Sequence, residues 1–393
     1  MRSYLERKQM ARRVAVIATG QTYHKSKRRD VNIPELIHEA VKACLDDAQL
    51  GIGDIDAVLI GNMEHFEGVY NPELWAVDAT GAYLKHSLKI TTGGTTGASV
   101  AHAGYYHVAS GLFDCALCIG WEKQSDGDTT AGLIFQADPL FERSNMAGAI
   151  GTFALAASEY MDKFGITEEQ AAKVAVKNRG NAMNNPYAHL RRTVTIQDVL
   201  TSPPLAHPIK LLDMCPTSDG ACAIIVAGEE FARKKSPNKP AWFKALATRH
   251  DQPFNSDLPL LINMRSLSSA AKEAYAQAGI TNPRKELDVA ELYEPCTFAE
   301  LAWYEALGFC EPGAGGKMID SGATEMAGDI PVNPSGGVIS TNCIGATAMI
   351  RVAEAALQVM GKAGDRQVDG VKTALATGFG GSFWTEIAIL EGD

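Results

Sequence analysis

The chain has 393 residues, more than a single hydrophobic core accommodates, which points to two core units. Hydrophobic residues make up 46% and charged residues 21%, the mix of a folded globular protein rather than a disordered one. A net charge of -10 argues against a general nucleic-acid binder, which presents a basic face, but leaves room for a local basic patch.

In chain order, the stretch Met1 to Arg13 is basic with no long apolar segment after it. It reads as a solvated arm rather than a secretory signal. The first strand is Arg13-Val-Ala-Val-Ile-Ala. A helix follows from Ile33 to Leu45, with Leu36, Ile37, Ala40, Val41, Cys44 and Leu45 at helical spacing. The apolar run Asp56 to Gly61 is a buried strand. The Gly-rich turn Thr92-Gly-Gly-Thr-Thr-Gly opens a helix through Val108, Gly111 ends it, and a strand runs from Cys115 to Ile119. The second half repeats this order. A helix runs from Ser266 to Gly279 and a strand from Leu287 to Leu292. Ser340-Thr-Asn-Cys-Ile-Gly-Ala-Thr opens a helix through Met360, and the strand Thr373 to Thr377 leads into Gly378-Phe-Gly-Gly. The expectation is an α/β fold of two similar halves, residues 1–245 and 246–393, each with mostly parallel strands covered by helices. The stretch of about 122–207 has no counterpart in the second half. It reads as a large, partly helical loop insertion, with helices over 156–164 and 167–177; such loops usually carry binding.

The eight cysteines are Cys44, Cys115, Cys118, Cys215, Cys222, Cys296, Cys310 and Cys343. Only Cys115 and Cys118 have CxxC spacing, inside an apolar strand and with no second pair, so they read as core and no metal is expected. Free buried thiols suit a reducing cytoplasm. No apolar run approaches the ~20 residues that span a bilayer. The Gly-rich turns lack a following Gly-Lys-Ser/Thr, so a nucleoside-triphosphatase is not supported.

Three stretches resemble the thiolase superfamily, in particular its sterol-carrier-protein type and archaeal branch. They are Gly93-Gly-Thr-Thr-Gly-Ala with Val108 to Lys123, then Glu291-Leu-Tyr-Glu-Pro-Cys, then Asn333-Pro-Ser-Gly-Gly through Gly345-Ala-Thr. The insertion segments Ala175-Val-Lys-Asn, Asn185-Pro-Tyr-Ala and Ser218-Asp-Gly-Ala fit the same group. The resemblance implies a homodimer whose chains fold as an αβαβα sandwich. It implies acyl-CoA thioesters as ligands, with coenzyme A as a substrate. It also implies a small zinc-ribbon/OB-fold accessory subunit as partner.

The family's residues are not all present. The nucleophilic cysteine of the first-half turn reads Gly94, and the acid/base cysteine of the last Gly-rich loop reads Gly378. The two histidines read Tyr293 and Asn342. The last histidine in the chain is His250, so the second half holds no imidazole base.

Breaking a carbon–carbon bond beside a thioester carbonyl leaves an enolate, which hydrogen-bond donors must stabilise. Asn342 and Tyr293 are suitable side chains, and the backbone N–H groups of Gly94 and Gly380 form a second candidate hole. A tyrosine is a weak base unless its environment lowers its pKa. Cys343, at a helix N-terminus that would favour its thiolate, and Cys296 are candidate displaced nucleophiles. Glu64 or His65 is a candidate base, weighed against a surface loop. Ser340 and Ser382 are candidate thioester contacts, weighed against structural roles. Glu122 and Lys123 read as solvated charges, His102 and His107 as packing or surface residues, and Asp213 and Asp219 as backbone caps. Phe66, Tyr70, Trp75 and Phe135 hint at an aromatic acyl group. Three functions remain: a thiolase-type acyltransferase on a β-oxoacyl-CoA, as in β-oxidation; a retro-aldol lyase on a β-hydroxyacyl-CoA; and a non-catalytic acyl-CoA-binding subunit.

Overall fold

The computed structural model describes residues 12–144, 146–251, 261–262, 264–381 and 384–393. Its strands are β1 (Val14–Gln21), β2 (Ala57–Gly61), β3 (His86–Ile90), β4 (Cys115–Lys123), β5 (Pro204–Ala206), β6 (Ile209–Lys210), β7 (Asp219–Gly228), β8 (Ala241–His250), β9 (Val289–Glu291), β10 (Thr373–Gly380) and β11 (Trp384–Glu391). Nine of them form one sheet in the order β3-β2-β4-β7-β1-β8-β11-β10-β9, and β5 and β6 pair separately. Read outward from the centre, β1-β7-β4-β2 matches β8-β11-β10-β9, so the two halves meet at β1 and β8. That seam is short: only Ala15↔Trp242 and Val16↔Ala241 pair across it. The division expected at 245/246 falls inside β8.

The helices around the sheet include α1 (Ile33–Ala48), α2 (Thr96–Ala109), α3 (Thr129–Ile134), α4 (Gly148–Phe164), α5 (Glu168–Ala182), α6 (Arg265–Ala278), α7 (Thr297–Ala306) and α8 (Ile344–Met360). Alternation along each strand sends side chains to opposite faces. Val14, Val16, Leu59, Cys118 and Ile224 pack on one face with α2 and α8, through Val100, Ala101, Met349 and Ile350. Ala15, Ile17, Val58, Leu117 and Ile225 face the other way, onto Leu36, Ile37 and Val41 of α1. In the second half, Ala245, Leu375, Ile387 and Ile389 face α6. Helices α2 and α8 lie backbone against backbone: a Cβ at Gly97 would come 2.4 Å from the Met349 nitrogen.

The expectation of mostly parallel strands is corrected. Only β2–β3, β2–β4 and β9–β10 pair in parallel; β1, β7, β8 and β11 form antiparallel contacts throughout. The strands read from the sequence were mainly those that neighbour helices, and crossover helices favour parallel partners. The unread strands β7, β8 and β11 are the ones that reverse direction.

The long helix α8 is buried at every residue, so its charges must be paired within the protein. Arg351 Nη1 donates to Glu291 Oε2 at 2.6 Å and to Ser335 Oγ at 2.8 Å. Glu354 accepts from Gln21 at 2.7 Å and from Arg366 at 2.6 Å. Removing one partner of such a pair strands the other charge. The Arg351→Met variant is expected to lose about 3–5 kcal/mol of unfolding free energy in urea titrations. The Arg351→Met/Glu291→Leu double variant is expected to recover part of that loss.

Burial also acts on Glu386 of β11, which accepts from Ser99 Oγ at 2.9 Å. Its pKa is pushed from the usual 4.5 to about 8 by desolvation. Between those values the folded chain holds a proton that the unfolded chain has released. Stability therefore falls as pH rises through this window, by up to ~1.4 kcal/mol per pH unit for this group. Glu386→Gln is expected to flatten the fall in melting temperature between pH 5 and 8, measured by thermal denaturation at ~5 pH values.

Candidate active site

Residues Leu292 to Cys296 join β9 to α7, and nearly every one is pinned. The Leu292 N–H donates to Asn333 Oδ1 at 2.7 Å, and the Tyr293 N–H donates to Thr377 Oγ1 at 2.8 Å. Glu294 Oε1 accepts from the Val338 N–H at 2.8 Å and from Asn178 Nδ2 at 3.1 Å. The Pro295 carbonyl accepts from the Cys215 N–H at 3.0 Å. Asn333 has a left-handed backbone, φ 55°, and its amide also donates to Glu300 Oε2 at 2.7 Å. The Asn-Pro-Ser-Gly-Gly run is thus a brace for the loop that carries Tyr293.

Four segments converge on that loop: the turn before α2, the end of β10, the start of α8 and the strand-like residues 214–215. Together with α3 and α4 they enclose a cavity of about 190 Å³. Gly94, Gln136, Thr152, Cys215, Tyr293, Asn342 and Gly380 supply its polar groups. Leu133, Met146, Phe153, Met214, Ile344 and Phe379 line the apolar side. Of the candidates read from the sequence, the fold therefore gathers Tyr293, Asn342, Gly94 and Gly380.

Tyr293 is 4% exposed. Burial raises its phenol well above the ordinary tyrosine value, and a hydrogen bond with the Thr347 hydroxyl acts weakly the other way. The phenol is consequently protonated at rest: a donor first, and a base only after losing a strongly held proton. Thr347 Oγ1 donates to Asn342 Oδ1 at 3.0 Å, which fixes Asn342 Nδ2 as the donor end facing the cavity. That amide nitrogen reaches Cys215 Sγ at 3.3 Å. Cys215 is the cysteine that faces the cavity, and burial pushes its thiol up to about 12.

The first-half turn has no space for a side chain at position 94. A Cβ there would sit 2.3 Å from the Phe379 carbonyl oxygen and 3.3 Å from the Tyr293 hydroxyl. Thr95 Oγ1 and Thr96 Oγ1 hold the turn by donating to the carbonyls of Thr92 (2.8 Å) and Gly93 (2.6 Å). Gly378 is buried, its α-carbon facing Ala98 and Ala348, and does not line the cavity.

Other expectations are corrected. Cys343 is fully buried in the core between the helix layer and the sheet, away from the cavity. Desolvation raises its thiol, so the helix N-terminus does not make it a thiolate. Cys296 is likewise buried, with its thiol raised. His65 is exposed, stacks edge-on against Phe66 and lies outside the cavity, and burial of part of its ring lowers its pKa. Glu64 forms an ion pair with Lys89. Ser340 is buried and off the cavity wall, its carbonyl accepting from the Leu190 N–H at 2.9 Å. Ser382 lies outside the described residues. Glu122 and Lys123 are buried rather than solvated, with Glu122 Oε2 accepting from the Gly345 N–H at 2.9 Å at the start of α8. Asp213 and Asp219 do cap backbone groups, at Lys210 (2.9 Å) and at Arg28 and Ser125 (2.8 and 2.9 Å). Phe66 is core, while Tyr70, Trp75 and Phe135 are exposed and none of the four lines the cavity.

The reading from sequence missed Cys215, Thr347, Met214, Phe153 and Phe379. Cys215 and Met214 lie just before the Ser218-Asp-Gly-Ala segment, and no spacing marks them as cavity residues. Among the described residues, no group of three or more His, Cys, Asp or Glu stands close enough to hold a metal ion. No described helix is long and apolar enough to cross a membrane.

Two family models match, "Thiolase, N-terminal domain" over residues 14–202 and "Thiolase C-terminal domain-like" over residues 247–392. The acetyl-CoA acetyltransferase of Methanothermobacter thermautotrophicus is 32% identical, over 94% of this chain and 97% of that protein. Sterol carrier protein 2 of Bos taurus is 31% identical, over 94% of this chain and 70% of that protein. Among solved structures, the Ltp2-ChsH2(DUF35) aldolase superposes with a TM-score of 0.84 at 25% identity, covering 98% of this chain and 99% of that one. Human mitochondrial 3-ketoacyl-CoA thiolase in complex with CoA shares the fold, with a TM-score of 0.75 at 16% identity over 97% and 98% of the two chains. The chain belongs to the thiolase family, in the company of its sterol-carrier-protein and archaeal members.

Proposed function

We propose that the protein is a carbon–carbon lyase on acyl-CoA thioesters, cleaving a β-hydroxyacyl-CoA by a retro-aldol step or running the same step as a condensation. The observation that carries this reading is the occupied space at position 94. The Phe379 carbonyl stands where a nucleophile's side chain would begin, and the Tyr293 hydroxyl lies beside it. A retro-aldol step needs no acyl-enzyme. The β-hydroxyl proton passes to the ionised Tyr293 phenol, the Cα–Cβ bond breaks, and its electron pair forms the thioester enolate. An aldehyde or ketone leaves. Asn342 Nδ2, held by Thr347, and the backbone N–H groups of Gly94 and Gly380 donate to the enolate oxygen.

The cavity wall carries no formally charged side chain, which suits an uncharged acyl group. Phe153 and Tyr293 approach the Phe379 ring at 6.0 and 6.1 Å between centroids, which supports a bulky or aromatic one. A homodimer, a DUF35-type zinc-ribbon/OB-fold partner and a cytoplasmic site complete the reading. The partner is supported by the name of the aldolase complex that this chain superposes on.

The test is cleavage of β-hydroxyacyl-CoA thioesters by the full chain with such a partner, with the released carbonyl compound trapped as a hydrazone. Tyr293→Phe is expected to lower kcat/KM by ~10²–10⁴. The wild-type cleavage rate is expected to rise with pH from 6 to 9 without levelling, because the phenol is held protonated. Intact-mass spectra are expected to show no acyl adduct on the wild type or on Gly94→Cys. Full activity in Tyr293→Phe, or an acyl adduct on the wild type, would return the protein to the acyltransferases.

A further inference from the structure

The lyase step leaves a carbanion equivalent that something must protonate. Once the Cα–Cβ bond has broken, the enolate carbon needs a proton. Tyr293 has just taken a proton from the β-oxygen, Asn342 offers only an amide, and the glycines offer only backbone. Gly378 supplies nothing, being a buried glycine away from the cavity.

Of the other polar side chains on the wall, Gln136 offers only an amide and the Thr152 hydroxyl donates to the Gly148 carbonyl at 3.1 Å, which leaves the Cys215 thiol. Its position is not casual. Its backbone N–H is tied to the Pro295 carbonyl at 3.0 Å, and neighbouring Met214 bridges to Cys296, so residues 214–215 run alongside the Tyr293 loop. Its sulfur contacts the Asn342 amide nitrogen at 3.3 Å. From these placements we infer that Cys215 is the acid/base at the α-carbon: its S–H protonates the enolate in cleavage, and its thiolate removes the α-proton in condensation. The inference rests on the lyase reading.

The protons balance. In cleavage the β-hydroxyl proton goes to the Tyr293 phenolate and the Cys215 S–H proton goes to the α-carbon. The enzyme is left with a phenol and a thiolate. One proton then returns from the phenol to the thiolate, directly or through water, and no oxidant or third reactant enters. The same proton-deficient pair serves both directions. The Asn342 N–H donated to sulfur favours the thiolate, which offsets part of the burial that holds this thiol near 12.

A nucleophilic role would leave an acyl group on the Cys215 sulfur, whereas the acid/base role leaves none.

The experiment is hydrogen exchange at the α-carbon of acetyl-CoA and propionyl-CoA. Each is incubated in D₂O with the full chain and its partner and followed by mass spectrometry of the thioester. The wild type is expected to incorporate deuterium. Cys215→Ala and the near-isosteric Cys215→Ser are expected to slow incorporation at least ~100-fold. Cys310→Ala, at a thiol outside the cavity, is expected to keep exchange within ~5-fold of the wild type. Circular dichroism and melting temperature show whether each variant is folded; if Cys215→Ala is not, Cys215→Ser decides. Exchange at the wild-type rate in the folded serine variant overturns the inference, as does a propionyl adduct on Cys215 or a wild type that does not exchange at all. Exchange that depends on Cys215 without any cleavage or condensation would retain the acid/base assignment and reject the lyase.

Discussion

The arrangement depends on three carboxylates buried beneath the cavity. Glu291, Glu294 and Glu300 are inaccessible to water, and each must find its donors inside the protein. Arg351, Ser335, Asn333, Asn178 and Lys177 provide them, reaching in from α8, from the loop at 333–338 and from α5. The donors on α5 lie more than a hundred residues before the acid they reach, Glu300, and the others follow the acids by 33 to 60 residues. Satisfying the acids therefore draws the insertion, the brace loop and the long central helix to one place. Tyr293 stands between Glu291 and Glu294 in sequence, and its position follows from theirs. None of the three carboxylates serves chemistry in the reaction proposed, but without them the phenol would have no fixed direction.

Much of the architecture was legible in the sequence because local signals and the global fold agree. Thr167 caps α5 with a full capping box, and the helix read as starting there does so. The apolar period of Leu36, Ile37, Ala40 and Val41 matches the face of α1 that packs on the sheet. The repeat of Gly-rich turn, helix and strand identified two related halves. The direction of β7, β8 and β11 was not legible, because a fully buried strand carries the same apolar run whichever way it points.

The site divides along a similar line. Tyr293, Asn342, Gly94 and Gly380 sit in motif positions, and the fold gathers them around one cavity. Cys343 was misread because adjacency in sequence to Asn342 suggested adjacency in the site. The residue caps α8, and one step along a helix start turns the side chain from the cavity into the sheet. Glu122 and Lys123 close β4, and the end of that strand is covered by the first turn of α8, so charges that look exposed in sequence are enclosed. Cys215 could be found only in three dimensions, since what distinguishes it from seven other thiols is the wall it faces.

The complete enclosure of α8 has a consequence for how motion is distributed around the site. Amide hydrogens in a helix wrapped on all sides exchange with solvent only when the whole molecule opens. Thr347 lies in the first turns of that helix, so the donor end of Asn342 is anchored to the slowest-opening part of the protein. The opposite wall is built from the short α3 and the start of α4, and Phe135, Leu140 and Leu155 on those segments face outward. Local opening there breaks few buried contacts. Hydrogen-bonding chemistry thus rests on a floor with little freedom to breathe, while the acyl group leans on the wall best able to yield to its shape.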